Sequence, residues 1–126
     1  MEINHTSAVD EITAAFRRYV DAICANDIDA VVEAFWASEQ VLRYGANENL
    51  YGIDEIRSFR SGQRGQTLKL DVTRLVITAF GNDFGTANCE MVRSDTGRSA
   101  RMSHTWVRLD AGWRIVAAHV SSIPPA

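Results

Sequence analysis

Thr105-Trp106-Val107-Arg108-Leu109-Asp110-Ala111-Gly112-Trp113-Arg114-Ile115-Val116-Ala117-Ala118-His119-Val120-Ser121 reads as two strands around a turn. In the second arm Trp113, Ile115, Ala117, His119 and Ser121 share one face by alternation, and Arg114, Val116, Ala118 and Val120 share the other. In the first arm Arg101, Ser103 and Thr105 alternate with Met102, His104 and Trp106. A period of two marks strands, and so short a connection joins them antiparallel. The same period extends back to Leu68, where Gly81-Asn82-Asp83 and Asp95-Thr96-Gly97 add two further turn signals. The second half is therefore predicted as a four-strand meander, with only Ser121 to Ala126 as a tail.

Upstream the period changes. Val9, Ile12, Phe16, Tyr19 and Ile23 recur at spacings of 3, 4, 3 and 4, the inner stripe of an amphipathic helix. Ser7 with Asp10 supplies a start signal and Asn26 a stop. Asp27 or Asp29 caps a second helix whose apolar side is Ile28, Val31, Val32, Phe35 and Trp36. A short strand around Val41 to Tyr44 comes next, then an irregular piece, Gly45-Ala46-Asn47-Glu48-Asn49, and a third helix after Gly52 that packs Ile53, Ile56 and Phe59. Helices first and a meander after them predict an α+β fold, three N-terminal helices packed on one face of a curved antiparallel sheet. Such a curl leaves a cavity at one end, where a ligand would sit.

The chain has 126 residues, 46% of them hydrophobic, and is read as a single domain over residues 1–126. A domain of this size buries roughly two-thirds of its unfolded surface. Charged residues at 23% and two prolines argue against a disordered segment. No apolar run approaches the ~18 residues of a membrane span, and Met1-Glu2-Ile3-Asn4-His5 lacks a signal peptide's basic and apolar regions. The expectation is a cytoplasmic protein without membrane contact. A net charge of −3 disfavours nucleic acid as a partner. Lys69 is the only Lys among thirteen basic residues. Either coding bias explains this, or some guanidiniums hold a planar anion, which Arg does bidentately. Cys24 and Cys89 form no CxxC and are read as reduced, buried thiols.

Tyr19, on the inner stripe, is a core phenol bonded to a carbonyl, or a proton donor or oxyanion stabiliser at the cavity mouth. Arg43 lies in a strand apolar on both faces. Pointing inward, it needs a carboxylate such as Glu48 or Glu90, or an anionic ligand. His104 and His119 are pocket-wall candidates without the spacing of a metal site. Trp36, Trp106 and Trp113 read most simply as core. The sequence contains no G-x-S-x-G, no H-E-x-x-H and no Gly-rich loop ahead of a helix. What remains is acid–base chemistry without a metal or organic cofactor, or ligand binding.

The order of elements resembles the nuclear-transport-factor-2-like (NTF2-like, also SnoaL-like) superfamily, with its cone-shaped fold. Three stretches resemble one branch of it, the AtzH-like family, which includes proteins of cyanuric acid catabolism and the HpxZ proteins of oxalurate catabolism. They are Arg43-Tyr44-Gly45-Ala46-Asn47-Glu48-Asn49-Leu50-Tyr51-Gly52, Ile56-Arg57-Ser58-Phe59-Arg60, and Thr105-Trp106-Val107-Arg108 with Gly112-Trp113-Arg114-Ile115-Val116-Ala117-Ala118-His119-Val120-Ser121. The resemblance implies a decarboxylating amidohydrolase that converts 1,3-dicarboxyurea to allophanate, with Tyr19 and Arg43 as the catalytic pair. Arg101, His104, Trp106, His119 and Ser121 are the expected substrate contacts, with Arg101 a second clamp on a small anionic ureido-type substrate. Where the family pattern has Arg-Gln-Ser-Gln, this chain has Arg101-Met102-Ser103-His104, which alters the pocket. Two other readings are a non-catalytic partner of an amidase and a ketosteroid-type isomerase with Glu90 as base. A homodimer through the uncovered sheet face, with Arg93, Arg108 and Arg114 on that side, is expected by analogy.

Overall fold

α1 (Thr6–Ala25) buries Ile12, Phe16, Tyr19 and Ile23 as the stripe requires, with Val9 half-buried at its edge. The computed structural model describes residues 1–63, 65 and 67–125. The helix begins ahead of Ser7. His5 is the N-cap residue and makes no side-chain cap bond, while the Ser7 hydroxyl meets His5 Nδ1 at 2.9 Å. The stop falls where expected, since Asn26 turns left-handed (φ 51°) and sends its N–H back to the carbonyls of Ala22 and Ile23. Of the two proposed caps for α2 (Ile28–Glu33), Asp27 serves: its carboxylate accepts from the Ala30 N–H at 3.2 Å. The helix ends before Phe35, which instead bridges to Ile115 as a strand would.

The remaining elements are β1 (Leu42–Tyr44), β2 (Asn49–Tyr51), α3 (Ile53–Ser61), β3 (Leu70–Phe80), β4 (Phe84–Arg93), β5 (Ser99–Leu109) and β6 (Gly112–Ser122). They form one six-stranded sheet in the order β2-β1-β6-β5-β4-β3. The meander β3 to β6 is antiparallel throughout, and Gly81, Gly97 and Gly112 at its turns all have positive φ. Two details depart from the sequence reading. Residues 49–51, expected to begin in an irregular piece, pair with β1 as a strand. β1 runs parallel to β6, so the sheet is not wholly antiparallel. A strand reached through helices rather than through a hairpin is free to join in that sense.

A β-bulge decides which side chains of β6 face inward. Thr105 pairs with Ala117 but Trp106 with Ile115, leaving Val116 without an opposite residue. Alternation therefore slips by one. Trp113 and Ile115 are buried before the bulge, and Ala118 is buried after it, while His119 is exposed. The two-face assignment made from strict alternation fails for everything beyond Val116. α1 crosses the inner face over a lane of small residues, with Ala79 and Ala87 fully buried and a Cβ on Gly85 overlapping Ile12 Cδ1. Phe16, Phe35 and Trp106 are the largest fully buried side chains, each contributing roughly 1.5–3 kcal/mol through burial. Both cysteines are free, Cys89 buried and Cys24 half-buried. Burial pushes the Cys89 thiol up to about 11, which leaves it unreactive.

Candidate functional site

A cavity of about 160 Å³ lies between the C-terminal half of α1, α3 and the inner face of β4, β5 and β6. Tyr19 and Ile23 line it from α1, Arg43 from β1, Arg60 from α3, Met102 and His104 from β5, and Ala118 and Val120 from β6. Arg43 points inward because Leu42 and Tyr44, on either side of it, turn the other way, Tyr44 into solvent. Its Cα partner on β6 is Ala118, whose small side chain leaves room for the long arginine. Arg43 is 8% exposed, and its Nη1 donates to Glu48 Oε1 at 2.8 Å. The structural alternative raised for Arg43 is thus present, with Glu48 as the partner. Glu90 faces outward, exposed and 3.7 Å from Arg74.

Arg60 escaped the sequence reading as a site residue. It follows Ile56 by four positions and so continues the apolar stripe of α3 inward, a signal overlooked because it lay within a motif. Its guanidinium stands 5.7 Å from the centre of the Phe59 ring, and that of Arg43 stands 5.5 Å from the same ring. The Nε of Arg60 is buried with no hydrogen-bond partner among the described residues. Burial lowers its pKa, the Tyr19 hydroxyl opposes that, and the positive Arg43 adds to the lowering. The group stays charged, since arginine holds its proton across the range in which proteins work.

Tyr19 is 2% exposed and meets the His104 ring edge-on at 5.2 Å. His104, 3% exposed, also touches Phe16 and Trp106. Burial first, and then Arg43, depress its pKa to about 3, so the imidazole is neutral. Its Nδ1 has no partner among the described residues. The cavity is therefore lined by the guanidiniums of Arg43, Arg60 and, at its rim, Arg93, with the Tyr19 phenol and the neutral His104 imidazole against apolar walls; Glu48 reaches Arg43 from outside the lining and Asp95 pairs with Arg93.

The structure brings Tyr19, Arg43 and His104 together, leaves His119 at the cavity's rim, and places Arg101, Trp106 and Ser121 elsewhere. Arg101 is exposed on the outer face, opposite Glu90, because β5 turns Met102, His104 and Trp106 inward. It cannot be a second clamp. The bulge at Val116 puts the His119 side chain outside, its ring 5.9 Å from Tyr44. Ser121 borders a wider groove of about 450 Å³ that shares Arg93, Ala100, His119 and Val120 with the cavity. Trp106 is buried and lines a separate pocket, on the α2 side, to which Tyr19 also contributes. The arginines expected on the uncovered face are engaged otherwise: Arg93 with Asp95, Arg108 with Asp83 and Glu11, Arg114 with Glu33. Among the described residues no group of three His, Cys, Asp or Glu side chains could hold a metal ion, and no helix is long and apolar enough to cross a membrane.

Comparison with known proteins gives the family and the fold. The model of the AtzH-like family matches residues 1–126. A crystal structure of a protein of unknown function from Pectobacterium atrosepticum is 43% identical, with a TM-score of 0.92 over 97% of this chain and 95% of that one. A cystatin-like fold protein from Burkholderia xenovorans is 38% identical, with a TM-score of 0.91 over 100% of this chain and 99% of that one. An NTF2-like superfamily protein from Salmonella enterica, at 23% identity and a TM-score of 0.79 over 96% and 94% of the two chains, shares the fold. The curated proteins contain no match.

Proposed function

The chain belongs to the AtzH-like family of the NTF2-like superfamily, and from that premise we propose that it is a decarboxylating amidohydrolase acting on 1,3-dicarboxyurea or a closely related small ureido-carboxylate. The observation that carries this reading is the charge balance at the cavity: Arg43, Arg60 and Arg93 line it, Glu48 pairs with Arg43 and Asp95 with Arg93, and Arg60 has no ion pair among the described residues. At about 160 Å³ the cavity is smaller than the roughly 300–1,000 Å³ of pockets that enclose drug-sized ligands. That suits a compact anion and is too small for a steroid. The isomerase reading also loses its base, because Glu90 lies outside the cavity.

The chemistry asks little of the protein. The carbon–nitrogen bond to one terminal carboxylate breaks, carbon dioxide leaves, and the electron pair stays on nitrogen, which must gain a proton. Tyr19 is the donor. The Arg60 guanidinium bonds the Tyr19 oxygen, and the phenolate left behind takes a proton from solvent before the next turnover. Arg43 orients the substrate through N–H groups that Glu48 does not occupy. Apolar walls exclude water, so these charges act at low dielectric.

The test is carbon dioxide release from 1,3-dicarboxyurea generated in situ, with wild type, Tyr19→Phe and Arg43→Ala. Loss of at least ~100-fold in the Tyr19 variant fits a proton donor. Full activity in both variants would overturn the assignment. Anion-induced thermal stabilisation without turnover, together with co-purification of an amidase, would support the binding-partner reading instead.

A further inference from the structure

We propose that Arg60, rather than Arg43, anchors the carboxylate of the bound anion, and that the ligand joins this carboxylate to an amide-type polar group that meets His104. The inference rests on the anion-binding reading above and assigns the role within it.

The two guanidiniums differ in what already neutralises them. Glu48 Oε1 sits 2.8 Å from Arg43 Nη1, and its other oxygen accepts from the Asn47 N–H at 3.2 Å, so this carboxylate is tied at both ends. Arg60 forms no ion pair among the described residues. Its surroundings are the Phe59 ring, the Tyr19 hydroxyl that bonds it, the like-charged Arg43 and the attractive charge of Glu48, and its Nε is buried without an acceptor among the described residues. A half-buried guanidinium with no ion-pair partner among the described residues, and with a buried Nε–H that no acceptor meets, is a costly arrangement for an arginine. A ligand carboxylate would supply both at once, bidentately.

His104 adds the second half of the specificity. Its buried Nδ1 lacks a partner and the ring is neutral, so it exchanges a hydrogen bond with a neutral group and offers no charge to a second carboxylate. A ureido N–H or carbonyl fits it. In the reaction, the carboxylate that departs loses its charge, so a strong ion pair to it would oppose the step. Arg60 therefore holds the carboxylate that is retained, which binds equally in ground and transition states.

Titration calorimetry with oxalurate, and with uncharged biuret as control, on wild type, Arg60→Gln, Arg60→Lys, Arg43→Gln and Glu48→Gln tests this. Arg60→Gln is expected to weaken oxalurate binding ~10- to 100-fold, as loss of a charged hydrogen-bonded pair does, with partial recovery in Arg60→Lys. Glu48→Gln, which frees Arg43, is expected to tighten it. Without ligand, Arg60→Gln keeps or raises the melting temperature, because it removes an uncompensated charge, whereas Arg43→Gln lowers it by stranding Glu48. Wild-type affinity in Arg60→Gln with loss in Arg43→Gln would overturn the role of Arg60 and leave the anion site standing. A fall in melting temperature alongside lost binding in Arg60→Gln would make it a structural strut and also overturn the proposal. No oxalurate binding by any of the proteins would overturn both readings.

Discussion

Replacing Gly45 by Ala should release Glu48 from Arg43, through space alone. Gly45 is not among the glycines of positive φ, so its backbone conformation is open to alanine. The obstacle is the Cβ itself, which would overlap the Glu48 carboxylate and lie 2.9 Å from Arg43 Nη1. The Glu48 side chain is the movable end, and it swings out to solvent. Arg43, whose side chain is only 10% exposed, is then left without its partner. Removing one partner of a fully buried pair costs about 3–5 kcal/mol. Glu48 is 25% exposed and regains hydration when it leaves, so about 2 kcal/mol is expected here. For a domain of this size that is a fall of ~6 °C in melting temperature. The assay is a double-mutant cycle by thermal unfolding. In a Glu48→Ala background the clash is gone, and Gly45→Ala should be neutral or stabilising by up to ~1 kcal/mol, since alanine restricts the unfolded chain. An equal loss in both backgrounds would refute the steric account and place the effect in the turn's backbone.

Two further outcomes follow from other parts of the core. His104 is neutral in the fold at about 3 and titrates near 6.5 when unfolded, so the unfolded chain binds the extra proton between those values. Its contribution is intact above pH 6.5 and is lost as pH falls, at about 1.4 kcal/mol per unit, or roughly 3 kcal/mol by pH 4. Thermal melts of His104→Gln across pH 4–7 should show a flatter dependence than wild type; parallel curves would mean the imidazole is already protonated in the fold. Gly85→Ala places a Cβ against Ile12 Cδ1 and 2.7 Å from the Thr78 carbonyl oxygen, which is backbone and cannot yield. Urea unfolding should register a loss of about 1–3 kcal/mol, as overpacking does, and a change below ~0.5 kcal/mol would show that α1 can lift from the sheet.

Much of this was legible in the chain. The 3-4-3-4 spacing from Val9 to Ile23 gives a helix whose inner face carries Tyr19, because the same stripe that must be buried contains the phenol. Asn26 ended that helix as read, since asparagine tolerates the left-handed cap. Three glycine-containing turns marked out four strands. Less legible were features that depend on pairing. Residues 49–51 are a strand only because β1 lies beside them, and β1 is parallel only because the β6 edge was free to receive it. Arg101 was read as a clamp although alternation alone set it on the face opposite His104.

The sequence by itself determined the helices, the meander, the class of fold and the family, because periodicity, turn residues and motifs are local and survive in a linear reading. It also singled out Tyr19 and Arg43, which the fold brings to one cavity. Only the tertiary structure decided which charges are left over. That Glu48 neutralises Arg43, that Arg60 has no such partner among the described residues, and that the bulge at Val116 leaves His119 exposed at the cavity's rim are set by how strands and helices meet. A buried charge is free or satisfied according to what packs against it, and packing is not written in the order of the residues.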